Sequence, residues 1–126
     1  MKVFDASAVL ALLNNEPGAN QVIAHLAEGD GVVGAANYAE VVTKLIEHGL
    51  TAADAEEALQ SLQLPIEPLT ESVALMAGVL RKATRTLGLS LGERCCLALA
   101  QSLDAEVITA DKSWKTLKGM RITLIR

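Results

Sequence analysis

Leu89-Ser90-Leu91-Gly92-Glu93-Arg94-Cys95-Cys96-Leu97-Ala98-Leu99-Ala100 reads as the opening of a buried helix. Ser90 and Glu93 fit the S-x-x-E capping box, in which each side chain takes up a first-turn backbone N–H that has no partner within the helix. That box explains a polar pair at the mouth of an otherwise apolar helix. Cys95 and Cys96, the only cysteines, follow directly. Neighbours on a helix do not share a face, so the two are expected as reduced thiols, at least one of them packed in the core. Reduced thiols favour the cytosol.

The helix runs to about Leu103 and feeds an apolar stretch, Glu106-Val107-Ile108-Thr109, that reads as a buried strand. The same alternation recurs elsewhere. Lys2-Val3-Phe4-Asp5 is a short strand, followed by helices over Ala6–Asn14 and Ala19–Glu28. Val32-Val33 is a strand, and Asn37–His48 an amphipathic helix with Val41, Val42, Leu45 and Ile46 inward and Gly49 as its stop. Thr51 caps a helix to Gln63, and the Pro-rich Leu64–Leu69 suits a short edge strand. Thr70 caps a helix to about Leu87, which Gly88 ends; Asp111–Leu117 is a helical turn and Arg121–Ile125 the last strand. Short apolar strands between helices imply an α/β fold with a mostly parallel sheet.

The 126 residues suit a single domain over residues 1–126. A chain of this size buries about two-thirds of its unfolded surface, enough for one core without staples. Hydrophobic residues make up 51%, mostly Ala, Leu and Val, with one each of Trp, Tyr and Phe. No apolar run approaches the ~18 residues of a membrane span, and Asp5 interrupts the apolar start, which reads as strand and helix rather than as a signal peptide. Charge is divided along the chain: residues 1–80 carry two basic and eleven acidic residues, residues 81–126 nine basic and four acidic. Folding can therefore present a basic face beside an acidic one, or simply a solvated surface.

In parallel sheets ligands bind beyond the carboxyl ends of the strands. Asp5 ends the first strand, and Asp111 lies just past Val107–Thr109. Glu40 is one turn into the helix after Val32-Val33, and Glu93 is in the first turn of the helix that feeds the Val107 strand. All four can converge at one edge. Each also has a plainer role: Asp5, Glu93 and Asp111 as helix caps, Glu40 as an i,i+4 partner of Lys44 worth about 0.3 kcal/mol. Together, four anions in one cleft repel and raise one another's pKa unless a cation neutralises them. Hard oxygen donors suit Mg²⁺ or Mn²⁺, and an ion so held can activate water against a phosphodiester.

These pieces resemble the PIN-domain ribonucleases, most closely the toxins of bacterial VapBC toxin–antitoxin pairs. The resemblance rests on Val3-Phe4-Asp5-Ala6-Ser7-Ala8, Asn37-Tyr38-Ala39-Glu40-Val41, Leu89–Ala100 and Thr109-Ala110-Asp111-Lys112-Ser113-Trp114, in that order and spacing over nearly the whole chain. It implies a three-layer PIN-like α/β fold with a short parallel sheet between helices. Asp5, Glu40, Glu93 and Asp111 would be both catalytic and metal-holding, with Ser7 and Thr109 as accompanying hydroxyls. The family usually has Asp where this chain has Glu93, so the charge is kept on an arm one methylene longer.

The implied reaction is Mg²⁺- or Mn²⁺-dependent hydrolysis of an RNA phosphodiester in the cytoplasm. Arg81, Lys82, Arg85, Arg94, Lys112 and Lys115 are candidate phosphate contacts, which position RNA without reading its sequence. The implied partners are a small VapB-type antitoxin and a second copy in a homodimer, with no membrane. On the Thr70–Leu87 helix, Val73, Leu75, Met76, Val79 and Leu80 are apolar positions open to partner contact, with core packing the expected use of most. Two rivals remain. A PIN-like fold with weakened catalysis that acts by binding a partner is favoured by Glu93. A phosphoacceptor receiver domain is disfavoured: Asp5 stands alone after the first strand, no Asp follows Val32-Val33 and no Lys follows Ile125. His25 and His48 lie on separate predicted helices with no third zinc ligand. Neither a phosphate-binding G-x-x-x-x-G-K-[ST] loop nor a serine nucleophile elbow is present.

Overall fold

Val3 and Phe4 are both fully buried, yet they belong to different apolar clusters, and the same is true of Val107 and Ile108. Successive strand residues point to opposite faces, so the strands that carry these pairs are covered on both sides. The computed structural model describes residues 1–126 and shows why. Five strands, β1 (Lys2–Phe4), β2 (Gly31–Gly34), β3 (Ile66–Glu67), β4 (Glu106–Thr109) and β5 (Ile122–Leu124), form one sheet in the order β3-β2-β1-β4-β5. Every pairing is parallel. Six helices flank it: α1 (Ala6–Leu13), α2 (Ala19–Ala27), α3 (Ala35–Glu47), α4 (Ala52–Gln60), α5 (Glu71–Ala83) and α6 (Leu91–Leu103). The expected mostly parallel sheet is wholly parallel, in a PIN-like three-layer α/β fold.

One cluster joins Val3 and Val107 to α5, α6 and Trp114; the other joins Phe4 and Ile108 to α1, α3 and α4. Helix α6 is buried from Cys95 to Ala100 without interruption, which is why both cysteines lie in the core although they face different ways. They are free thiols, and burial pushes both above the usual thiol range. The short β3, with its flanking prolines Pro65 and Pro68, sits at the sheet edge, where a missing N–H costs no ladder bond.

Several boundaries differ from those expected. Helix α3 starts at Ala35 rather than Asn37, which makes Asn37 a first-turn residue. Ile46 lies on its exposed side rather than inward. Helix α5 stops at Ala83, not Leu87: buried Thr84 donates its hydroxyl back to the Leu80 carbonyl, and a 3₁₀ turn over Arg85–Leu87 leads to Gly88 in the left-handed region at φ 63°. Hydroxyl back-bonding of this kind competes with helix continuation. The apolar row on α5 divides: Val73 is buried and Met76 and Leu80 pack against the core, whereas Leu75 and Val79 are 69% and 70% exposed.

The sheet order places the functional edge. β2 and β3 lie to one side of β1, β4 and β5 to the other. The chain leaves β1 into α1, under one face, and leaves β4 toward Trp114, under the opposite face. In open parallel sheets ligands bind at such a switch point, beyond the carboxyl ends of the two central strands.

Candidate metal centre

Asp5, directly after β1, stands at that switch point and is 3% exposed. Its Oδ2 accepts from the Ser7 hydroxyl at 2.6 Å and from the Thr109 hydroxyl, at the end of β4, at 3.0 Å. Ser7 Oγ in turn accepts from the Ala110 N–H, and Thr109 Oγ1 from the Asp111 N–H. Each hydroxyl has one proton and spends it on Asp5, so the 3.2 Å approach between the two oxygens is proximity rather than a further bond. The network welds the ends of β1 and β4 together. Despite two donors, the Asp5 carboxyl is pushed up from 3.8 to about 6. Burial is the main cause, and the negative charges of Glu40 and Glu93 add to it.

Glu40, on α3, lies close enough to Asp5 to act on it electrostatically. Burial raises its carboxyl pKa, the Asn37 amide opposes the shift, and Glu93 adds to it. Asn37 Nδ2 donates to Glu40 Oε2 at 2.9 Å and to the Gly92 carbonyl at 3.0 Å. Two acceptors on one nitrogen fix the amide orientation. Gly92 is the second residue of α6, and a Cβ built there would collide with the Glu40 carboxylate. Ordinarily glycine in a helix costs roughly 1 kcal/mol against alanine; here it makes room. Asn37 and Gly92 were not read as site residues from the sequence. The available signal was an Asn three residues before Glu40, on the same helical face, and a glycine inside a helical first turn.

Glu93 occupies the third position of α6, and the capping box is formed as its S-x-x-E spacing predicts. Ser90 N–H donates to Glu93 Oε1 at 2.9 Å, and Glu93 N–H to Ser90 Oγ at 3.2 Å. Asp111 caps the 3₁₀ turn over Lys112–Thr116, its Oδ1 accepting from the Ser113 N–H and hydroxyl. Asp5, Glu40 and Glu93 thus share an electrostatic neighbourhood, while Asp111 connects to Asp5 through its backbone and Thr109. No three acidic, histidine or cysteine side chains stand together in an array that would hold a metal ion as they lie.

The donor set nevertheless has the chemistry a hard divalent cation needs. Each of the four carboxylates gives one oxygen to the protein: Oδ2 of Asp5, Oε2 of Glu40, Oε1 of Glu93 and Oδ1 of Asp111. The other oxygen of each receives no hydrogen bond from the chain. Hard carboxylate oxygens are the ligands that Mg²⁺ and Mn²⁺ prefer.

Among the candidate phosphate contacts, Arg81, Lys82, Arg85, Lys112 and Lys115 are exposed. Arg94 is not: it is partly buried and donates from Nη1 to the Ala77 carbonyl, tying α6 to α5.

The model of the PIN domain matches residues 2–119. The chain belongs to the PIN-domain family. PIN domains are in general nucleases, a class of hydrolase. No curated protein sequence matches this one. Among solved structures, a toxin–antitoxin complex from Klebsiella pneumoniae contains a chain similar at TM-score 0.77 and 18% identity, covering 100% of this chain and 98% of that one. VapBC2 from Rickettsia felis, bound to a DNA fragment from its promoter, gives 0.75 and 14%, covering 98% and 97%. VapBC-1 from nontypeable Haemophilus influenzae gives 0.75 and 17%, with the same coverage. At these identities the likeness is one of fold.

Proposed function

We propose that this chain is a Mg²⁺- or Mn²⁺-dependent endoribonuclease, the cytoplasmic toxin of a type II toxin–antitoxin pair. The observation that supports the reading is buried Asp5 at the end of β1, with Glu40 and Glu93 close enough to act on it electrostatically and Asp111 linked to it through Thr109, each carboxylate keeping one oxygen that takes no hydrogen bond from the protein. Asp5, Glu40, Glu93 and Asp111 would hold the metal. When bound, the ion would polarise the scissile phosphate and supply a hydroxide-like water. The Ser7 and Thr109 hydroxyls hold Asp5 by a single oxygen. Burial, which raises the Asp5 pKa, also keeps its carboxylate poorly hydrated and so primed for a cation. The exposed cations Arg81, Lys82, Arg85, Lys112 and Lys115 would draw in and position the RNA backbone.

The toxin–antitoxin complexes of similar fold support a small VapB-type antitoxin as partner. Leu75 and Val79, exposed on α5, are available for contact with that partner or with a second copy in a homodimer. Cleavage of RNA by the purified protein with Mg²⁺ or Mn²⁺, its loss in EDTA, and its loss in Asp5→Asn and Asp111→Asn test the reading. Undiminished cleavage in EDTA rejects it. A second reading, a PIN fold with weakened catalysis that acts through its partner, is favoured by Glu93 being engaged in the α6 cap. It predicts antitoxin binding with no metal-dependent cleavage.

A further inference from the structure

Asn37 is the buried polar residue at this edge whose presence the carboxylates alone do not explain. It is fully buried, and its Oδ1 has no donor within the protein. Both hydrogen bonds of its Nδ2 go to one purpose: one to Glu40 Oε2 within its own helix, the other across to the Gly92 carbonyl of α6. Gly92 adds its missing side chain, since Glu40 occupies the volume where a Cβ would stand. Glu40, Asp5 and Glu93 repel one another. Without a donor and a matching space, the Glu40 arm would relieve that repulsion by rotating away to solvent.

We infer that Asn37 and Gly92 form a seat that holds the Glu40 carboxylate at the mouth of α6, making Asn37 a positioning residue for metal capture. The inference rests on Glu40 being a metal ligand, as proposed above. Hydrogen bonds to a ligating carboxylate orient it, and removing such a partner typically weakens metal binding by about 10- to 100-fold. Asn37 therefore acts on metal affinity and not on RNA binding, and it fixes the Glu40–Glu93 spacing because it joins their two helices.

The test measures Mn²⁺ binding by the electron paramagnetic resonance signal of the free ion, alongside melting curves, for wild type, Asn37→Leu and Gly92→Ala. Leucine fills the volume of Asn37 without its donors. Alanine leaves Asn37 in place but pushes Glu40 out. The expected result is a Kd raised about tenfold or more in both, with cooperative melting retained. Cleavage would slow at limiting Mn²⁺ and recover at saturating Mn²⁺, with the KM for RNA unchanged. Wild-type affinity within about twofold in both variants overturns the seat while leaving the metal site standing; where Asn37→Leu does not fold, Gly92→Ala decides alone. A wild type that binds no Mn²⁺ removes the metal reading itself, and the seat with it.

Discussion

Asp5 carries the clearest pH signature. Its pKa in the folded chain, about 6, lies above the ordinary 3.8. A carboxyl raised in this way holds its proton more tightly folded than unfolded. Its stabilising contribution is complete below the unfolded pKa and is lost as pH rises through the folded one. A shift of this size corresponds to about 3 kcal/mol. Metal-free protein is therefore expected to lose about that much stability between roughly pH 4 and pH 6 from this residue, and Asp5→Asn to remove the loss. Urea denaturation in EDTA at about pH 4.5 and about pH 7.5 reads this directly. A difference between wild type and variant that fails to widen toward the higher pH contradicts it.

Glu93 separates cap from ligand at the same scale. Glutamine serves the capping box as well as glutamate but lacks the charge a hard cation needs. Glu93→Gln should keep stability within about 0.5 kcal/mol while cleavage falls about tenfold or more at low Mg²⁺. Glu93→Asp, the residue usual in the family, should retain activity. Full cleavage by Glu93→Gln at low metal would leave Glu93 as a cap alone.

At the scale of elements, α6 joins core to site. Its apolar run anchors one layer, and its capped first turn presents Glu93 and receives Glu40 against Gly92. Ser90→Ala removes one half of the box and should cost about 1 kcal/mol, seen as a lower urea midpoint with unchanged m-value. A larger cost would mean that the cap also supports the Glu40 seat. The C-terminal end of α5 and the turn after it carry Arg81, Lys82 and Arg85, all exposed. If these three meet RNA phosphates, replacing all three by alanine should reduce the slope of log K against log salt by about 2, at roughly 0.7 per phosphate contact on a single strand. A slope unchanged by the triple substitution would place the RNA elsewhere, with Lys112 and Lys115 the next candidates.

For the whole molecule, the division of charge along the chain does not carry over simply into the fold: Asp5 and Glu40 come from the acidic first part, Glu93 and Asp111 from the basic second part. Arg81, Lys82 and Arg85, at the end of α5 and just after it, and Lys112 and Lys115, in the turn after β4, are its exposed candidate phosphate contacts. Leu75 and Val79 are exposed apolar side chains on α5. Light scattering should find a dimer at micromolar concentration, and Leu75→Glu with Val79→Lys should shift it to monomer if that face is the contact. A monomeric wild type would leave the face to the antitoxin.

The α/β alternation, the capped α6 and the order in which the acidic residues arrive are legible along the chain. These are local properties: period-2 burial for strands, S-x-x-E for a helix start, Pro-rich segments at an edge. Where a local signal is weak or shared, boundaries and contacts shift. Thr84 ends α5 through its own hydroxyl, although the pattern reads on to Leu87. Arg94 reads as a candidate phosphate contact, but α5 and α6 pack so that it donates to the Ala77 carbonyl instead. That β1 and β4 are neighbours, that Thr109 therefore meets Asp5 across 104 residues of chain, and that Asn37 reaches Gly92 across 55 come from long-range packing. The physical reason is that strand order and helix crossing are fixed by burying both faces of one sheet at once. No segment of the chain encodes that condition alone, and it sets which distant polar groups come together.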